Sequence, residues 1–533
     1  MTARTESEID AFVAPSADGE LLVWPRTPGL REAAEANRRQ LRKGGLRLLD
    51  RPIEALSPNR AETRLVFMTG HQPEFFHPGV WAKNVAAVIL AGATGGEARF
   101  LVVDSDVPHQ VALRWPDCAA PYCQVRTAAA SPRAEWRSYE FINGETEYAA
   151  MFAALPQAFR SSPDRPFRAF MGAFLGDASD EEPSDQPMRY VERWTRGIEA
   201  AEAAMGARAP APERISTIFG TGRCSGAPAA ATFAGHLILE ADAISNAYNT
   251  ALGEYRRRRR IRGRQHPIPD LQRLGDRLEM PFWLVHPDRP RERLAVSGVQ
   301  SGERRLWAGQ RALGSVSPAA LRRDPAAALS QALCGWRIRP RALAQTMYAR
   351  LLACDLFIHG IGGAKYDQIT DGIIRRFFGV EPPAYACVSA TLRLALRSYD
   401  ITEADLANLR HGARDLRYNP QRYVVDGEPA SEVQAVLHER RRAIEASDRL
   451  RAERPRDRAA RRAAFERIHR ANAALLRASP GVVEAAARRL REAAAKLEND
   501  RVARSREWFF ALYPKTALER LREAIRAALR SNL

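Results

Sequence analysis

Two turns in this chain gather the residue types that bind anions and move protons. The first is Thr69-Gly70-His71-Gln72, followed by Pro73, His77, Pro78, Gly79 and then Lys83. The second is His359-Gly360-Ile361-Gly362-Gly363-Ala364-Lys365-Tyr366-Asp367, with Asp371 one helical turn on. Glycine lets a backbone come close to a ligand, and proline fixes a turn. Histidine and lysine steady charge that develops on phosphate or carboxylate oxygens. A third cluster, Asp104, Asp106 and His109, can orient an amine or hydroxyl nucleophile, act as a base or hold Mg²⁺. We therefore take His71, His77, Asp104, Asp106 and His109 as candidate catalytic residues. Thr69, Gly70, Gln72, Lys83, His359, Gly360, Gly362, Gly363, Lys365, Tyr366, Asp367 and Asp371 are candidate substrate or nucleotide ligands.

These residues need elements to position them. The apolar run Leu65–Met68 reads as a buried strand, and Val80–Ala91 as the helix after the turn. Phe100–Asp104 reads as a second strand, making a βαβ unit, and Leu356–His359 followed by a helix over Gln368–Phe378 repeats the pattern. Strand, polar turn and helix N-terminus is the arrangement that binds ligands at the carboxyl edge of an open sheet. The spacing G-x-G-G matches neither a dinucleotide fingerprint nor a phosphate-binding P-loop. Asp367 and Asp371 share a helical face (i, i+4), which suits a ribose hydroxyl or an amino group.

The 533 residues exceed one compact core. The expected fold is α/β, a doubly wound Rossmann-like parallel sheet with an inserted region and a C-terminal α-helical coiled-coil arm. Its parts are an N-terminal extension (1–60), a nucleotidyltransferase-type core (61–400) with a connecting insertion over about 130–300, and a helical arm with a docking segment (401–533). Further strands are read at Ile215–Phe219, Pro281–Val285 and Arg293–Val296, helices over Leu343–Cys354 and from Pro228 to about Arg260, and a polar loop over Gly176–Pro187. The aromatic run Trp508–Tyr513 is expected to dock the terminus on the body.

The net charge is +18, and from residue 401 onward 29 Lys and Arg stand against 19 Asp and Glu, a net of +10. The arm's acids lie at salt-bridging spacing and it lacks interleaved aromatics, which favours a self-paired arm and a homodimer over nucleic-acid binding. The run Arg256–Arg260 closes a helix, where arginine complements the dipole. Six cysteines without a CxxC pair read as reduced thiols, and no metal site is assigned. With no long apolar run and no basic, apolar leader, the reading is a cytoplasmic protein without membrane contact.

The residues resemble one family, the bacillithiol-biosynthesis cysteine-adding enzymes, or cysteine ligases. The resemblance rests on Thr69-Gly70-x-Gln72 with a lysine on the following helix, on the acidic and histidine-bearing strand end Asp104–His109, on His359-Gly360-x-Gly362, and on the order of parts over roughly 60–533. His71 and Gly363-Ala364-Lys365 depart from the family pattern, which marks a divergent member. The resemblance implies a Rossmann-type core, a coiled coil, and a ligase that joins cysteine or a similar amine to a small carboxylate- or sugar-bearing acceptor, with ATP or another nucleotide and Mg as cofactors. Two alternatives stand beside it: a metal-dependent hydrolase built on the Asp/His set, and an RNA- or polyanion-binding protein using the basic arm.

Overall fold

The computed structural model describes residues 8–26, 29–57, 64–108, 111–130, 138–142, 146–176, 188–220, 228–298, 302–423 and 431–530. The chain forms two compact units, one of Met1–Trp115, Thr127–Arg393 and Arg506–Leu533, the other of Pro116–Arg126 and Leu394–Ser505. Both belong to a mixed α/β chain.

In chain order, the first unit carries β1 (Leu21–Trp24), β2 (Val66–His71), β3 (Glu97–Val102) and β4 (Ala211–Arg214). It continues with β5 (Arg277–His286), β6 (Arg289–Ser297), β7 (Arg304–Ala308), β8 (Arg311–Val316) and β9 (Arg337–Pro340), and ends with β10 (Leu356–His359) and β11 (Tyr385–Ala390). The principal sheet has the order β1-β11-β10-β2-β3-β4. Its neighbours run parallel from β11 to β4, with Phe357 beside Met68 and Thr69 beside Phe100. The first four residues of β2 and all of β10 and β11 are buried, as strands covered on both faces must be, which is why they read as unbroken apolar runs. The sheet is not purely parallel. β1 pairs antiparallel with β11, Leu21 opposite Ala390 and Trp24 opposite Cys387. Within residues 1–60, Leu21–Trp24 thus supplies an edge strand of this sheet.

Five helices support this sheet and its site: α1 (Leu30–Lys43), α2 (Pro78–Thr94), α3 (Ala241–Arg258), α4 (Ala342–Tyr348) and α5 (Ile361–Phe378). Asp355, just before β10, ties α1 to the sheet. Its carboxylate accepts from Arg38 Nη2 at 2.6 Å and from the Val66 backbone N–H at 2.8 Å. The second sheet, β8-β7-β6-β5-β9, is wholly antiparallel and spans Arg277 to Pro340. Val66, Met68, Leu101 and Phe357 share one core with α3 and with Phe282, Leu284 and Leu294 of this second sheet.

Several local expectations change. Ile215–Ile218 is a helical turn, and the strand lies just before it at Ala211–Arg214. The helix expected from Pro228 onward is two helices, Pro228–Leu239 and α3, broken at Glu240. The helix expected over Leu343–Cys354 ends as a π turn at Ala349–Ala353. Most of the Gly176–Pro187 loop lies outside the described residues. Three arginines of the Arg256–Arg260 run are engaged within the chain. Arg256 pairs with Asp270 and reaches the carbonyls of Arg264, His266 and Ile268, while Arg258 and Arg259 pair with Asp10.

The second unit is helical: α6 (Glu403–Tyr418), α7 (Ser431–Glu453), α8 (Arg458–Ala478) and α9 (Pro480–Arg504), with α6 packed on α9 and α7 on α8. Asp500 accepts from the backbone N–H groups of Tyr399 and Ile401 at 2.8 and 2.9 Å. Cys118 and Cys123 form a disulfide, which corrects the reading of all cysteines as free thiols, and the Cys123 N–H donates to Asn499 Oδ1 at 2.8 Å. Among the described residues no helix is long and apolar enough to cross a membrane.

The chain returns to the first unit at Arg506 and closes with α10 (Lys515–Arg530). Phe510 is fully buried between Phe76, stacked at 5.5 Å, and Trp81, stacked at 5.6 Å. The aromatic segment thus buttresses the turn before α2. Truncating this ring leaves a cavity between two aromatic planes, so Phe510→Ala should cost about 3–5 kcal/mol. Urea unfolding of the parent and the variant measures it, and a loss below about 1 kcal/mol would show that the segment does not brace the turn.

Candidate active site

The carboxyl ends of β2 and β10 sit next to each other in the sheet, so the turns that follow them open onto a common space. That space is a cleft of about 630 Å³. Gly70, His71, Gln72, His77, Gly79 and Lys83 line it from the first turn, and His359, Gly360, Gly362, Gly363, Tyr366 and Asp367 from the second. Both α2 and α5 begin at the cleft. In α2 the first turn is already capped, since Pro78 has no N–H, Gly79 donates to the His77 ring and Val80 to the His77 carbonyl. The first N–H groups of α5, by contrast, have no carbonyl partner within the helix. Gly79 is needed for this approach, because a Cβ there would lie 2.7 Å from the Ala390 carbonyl oxygen. Gly363 is constrained likewise, since its Cβ would fall 2.6 Å from His359 Nδ1.

The three histidines are held differently. His71 Nδ1 lies 3.0 Å from the Gln72 carbonyl, so Nδ1 carries the proton. Burial and the neighbouring Lys83 push its pKa down to about 3. His77 caps α2, its Nδ1 accepting from the Gly79 N–H at 3.0 Å, and its Nε2 lies 3.5 Å from Glu507. Burial lowers it to about 4 against the pull of Glu507. His359 Nε2 meets Asp367 Oδ2 at 2.9 Å. Burial holds its pKa below the ordinary value although Asp367 opposes this. All three rings are therefore neutral at pH 7.

Asp367 is one end of a buried charge cluster. Arg350, on the π turn, donates to Asp367 at 2.7 Å, to Asp371 at 2.6 Å and to the Pro383 carbonyl. Burial works against ionisation of Asp367, but Arg350 and His359 together hold it well below the usual carboxylate range. Burial lifts Asp371 to about 6, with Arg350 resisting. The two aspartates do share one helical face, as their spacing predicts. What occupies that face is a guanidinium of the same chain, so Asp371 is not a ligand of the cleft. Lys365 also lies off the cleft lining.

The acidic strand end divides. Asp106 faces the cleft and accepts from Arg291 Nη1 at 3.1 Å and Gln72 Nε2 at 3.3 Å. Asp104 turns inward, where the Ser216 N–H donates to it at 2.9 Å and the Ser216 hydroxyl donates as well. Burial, reinforced by Glu140, raises Asp104 to about 6. His109 lies outside the described residues. Thr69 is buried beneath the first turn rather than lining the cleft. Among the described residues no three His, Cys, Asp or Glu side chains gather as a metal-binding group.

Sequence reading missed three arginines that line the cleft. Arg291 and Arg341 both stack on Trp283, their guanidinium carbons 4.1 and 5.0 Å from its centroid. Trp283 pairs in register with Arg293, so Arg291 is its diagonal neighbour across the β5–β6 hairpin. Arg506, beside the docking segment, donates to the Ala390 carbonyl at 3.2 Å and Thr391 Oγ1 at 3.0 Å. The only local signal was a tryptophan on one strand opposite alternating arginines on the next, which is easily lost in so arginine-rich a chain. With Lys83, these make a predominantly cationic cleft suited to a ligand bearing phosphate or carboxylate groups.

Comparison of the chain with protein-family models finds no match, and comparison with curated proteins likewise finds none.

Lys83 is buried, donates to the Gly70 carbonyl, and has its pKa lowered from 10.5 to about 8 by burial, with Cys387 opposing. Below pH 8 the ammonium is charged in both the folded and the unfolded chain, so the burial penalty is present in full. Between about pH 8 and 10.5 the unfolded chain binds the proton that the folded one has lost, so stability rises with pH. Lys83→Met should be more stable than the parent at pH 7, and its advantage should shrink by about 3 kcal/mol by pH 10.5. Denaturant unfolding of both proteins across that range checks this. A constant difference would show that Lys83 is not desolvated.

Proposed function

We propose that this chain is a ligase-type enzyme that joins an amine, such as an amino acid, to a small carboxylate- or sugar-bearing acceptor. ATP or another nucleotide, with Mg, supplies the activation of the acceptor. The observation that carries the reading is the convergence of two strand–turn–helix units and three arginines on one cleft. On this reading the five parallel strands are a Rossmann-like nucleotidyltransferase core, and the helical unit is a coiled-coil arm through which two copies pair.

The residues divide the work by charge. Arg291, Arg341 and Arg506 hold the acceptor's anionic groups, and the first turn of α5 offers N–H donors to phosphate oxygens. Lys83 and the Nε2–H of neutral His77 steady charge as it moves onto the leaving oxygen, while His71, its one proton donated to the Gln72 carbonyl, has only a lone pair to present. Asp106, already bonded to Arg291, fixes that guanidinium and offers its remaining acceptor capacity to the amine.

A thermal-shift screen of nucleotides, amino acids and thiol-sugar precursors tests the proposal, run on the parent, His77→Ala and Arg291→Gln. A binder at one hundred times its Kd stabilises the parent by about 2.7 kcal/mol. We expect a nucleotide and an amine-bearing compound to raise the parent's melting temperature, with the shift reduced or lost in both variants. If no compound in the panel shifts the parent, the ligase reading fails.

A further inference from the structure

His359 has one ring nitrogen committed and one uncommitted. Asp367 is ionised and locked by Arg350, so it can only accept, and the proton on the His359–Asp367 hydrogen bond must reside on Nε2. Nδ1 then carries a lone pair. Among the described residues no protein donor meets Nδ1, and it abuts Gly363 in the cleft lining. The ring is pinned on its other sides: it packs edge-on against Tyr385 at 5.2 Å and beside Phe357 at 4.6 Å. The charged groups around it are Asp367 and Arg350, from α5 and the π turn, and Lys83 from α2.

A carboxylate behind an imidazole whose far nitrogen is bare is the arrangement that fixes a tautomer and steadies the imidazolium once it forms. We propose that His359 Nδ1 is the proton acceptor for the nucleophile in this cleft, with Asp367 and Arg350 as its positioning residues. The proposal rests on the ligase reading and makes it more specific. The cleft takes one partner that presents anions to the arginines and a second that presents an N–H to His359. As the amine nitrogen bonds to the acceptor's electrophilic carbon, its proton passes to Nδ1. The carbon–oxygen bond to the leaving group breaks, and the electron pair leaves with that oxygen, as a nucleoside monophosphate when the carboxylate is activated as its nucleotidyl ester and as phosphate when it is activated as an acyl phosphate. His71 is the mirror case, with its proton on Nδ1 and no carboxylate behind it.

The test is nitrogen NMR of the unliganded full chain at pH 7 with ¹⁵N-labelled histidine rings, the His359 signals assigned by their loss in His359→Gln. We expect a neutral ring at His359 with Nε2 protonated and Nδ1 bare, and the opposite tautomer at His71. In Asp367→Asn the amide can donate to Nε2, so the proton should move to Nδ1. A parent His359 that is protonated on Nδ1, or is an imidazolium at pH 7, overturns the proposal. Should Asp367→Asn fail to fold, the parent spectrum alone decides. The measurement needs no ligand, so the two readings fail separately. The expected tautomer with no stabilising amine in the thermal screen sinks the ligase reading, and a wrong tautomer alongside a stabilising amine sinks this one.

Discussion

The buried guanidinium of Arg350 is the constraint on which the site depends. A cation with almost no exposed side-chain surface is tolerated only if its charge is met at close range, and two aspartates and a carbonyl meet it here. That requirement fixes the orientation of α5 relative to the π turn and, through Asp367, the orientation of the His359 ring. The π turn that follows α4 carries Arg350 to the two aspartates of α5. Removing the arginine would leave two carboxylates facing each other without water, so the three residues stand or fall together.

The same economy of charge shapes the rest of the cleft. Lys83 and the three histidines are deeply placed cationic or potentially cationic groups, and burial lowers the pKa of each, although Asp367 faces His359 and Glu507 faces His77. Permanent positive charge resides on arginines that line the cleft, where Asp106, Glu279 and Glu507 pair with Arg291, Arg341 and Arg506 in turn. An anionic ligand that entered would find guanidinium groups already aimed, and aromatic packing around Trp283 keeps two of them from wandering.

Much of this was legible in the chain, because the signals were local. The apolar runs ending at His71 and His359, each followed by glycine and a helix, announced two strand–turn–helix units. Gly70, Gly79 and Gly363 sit where backbone or ring comes too close for a Cβ, whereas Gly360 and Gly362 have room for one. The aromatic run around Phe510 belongs to the first unit, as its composition suggested. Illegible features depended on what lay opposite. Asp104 and Asp106 look equivalent in sequence, yet one faces Ser216 and the other Arg291. Leu21–Trp24 is too short to announce itself as a strand until β11 offers it an edge.

The sequence by itself determined the local pieces: where strands yield to turns, where helices begin, and which turns carry histidine, glycine and lysine. These follow from backbone sterics and from the period of apolar residues, which act over a few positions. Tertiary structure alone decided which pieces became neighbours. It placed Arg291, Arg341 and Arg506 on a cleft whose first histidines, His71 and His77, lie hundreds of residues away, and it gave the Asp367–Asp371 face to Arg350 instead of a ligand. The physical reason is that desolvation and charge pairing depend on distance in space. An arginine in so arginine-rich a chain carries no mark of its partner until the fold has brought the two within a few ångströms.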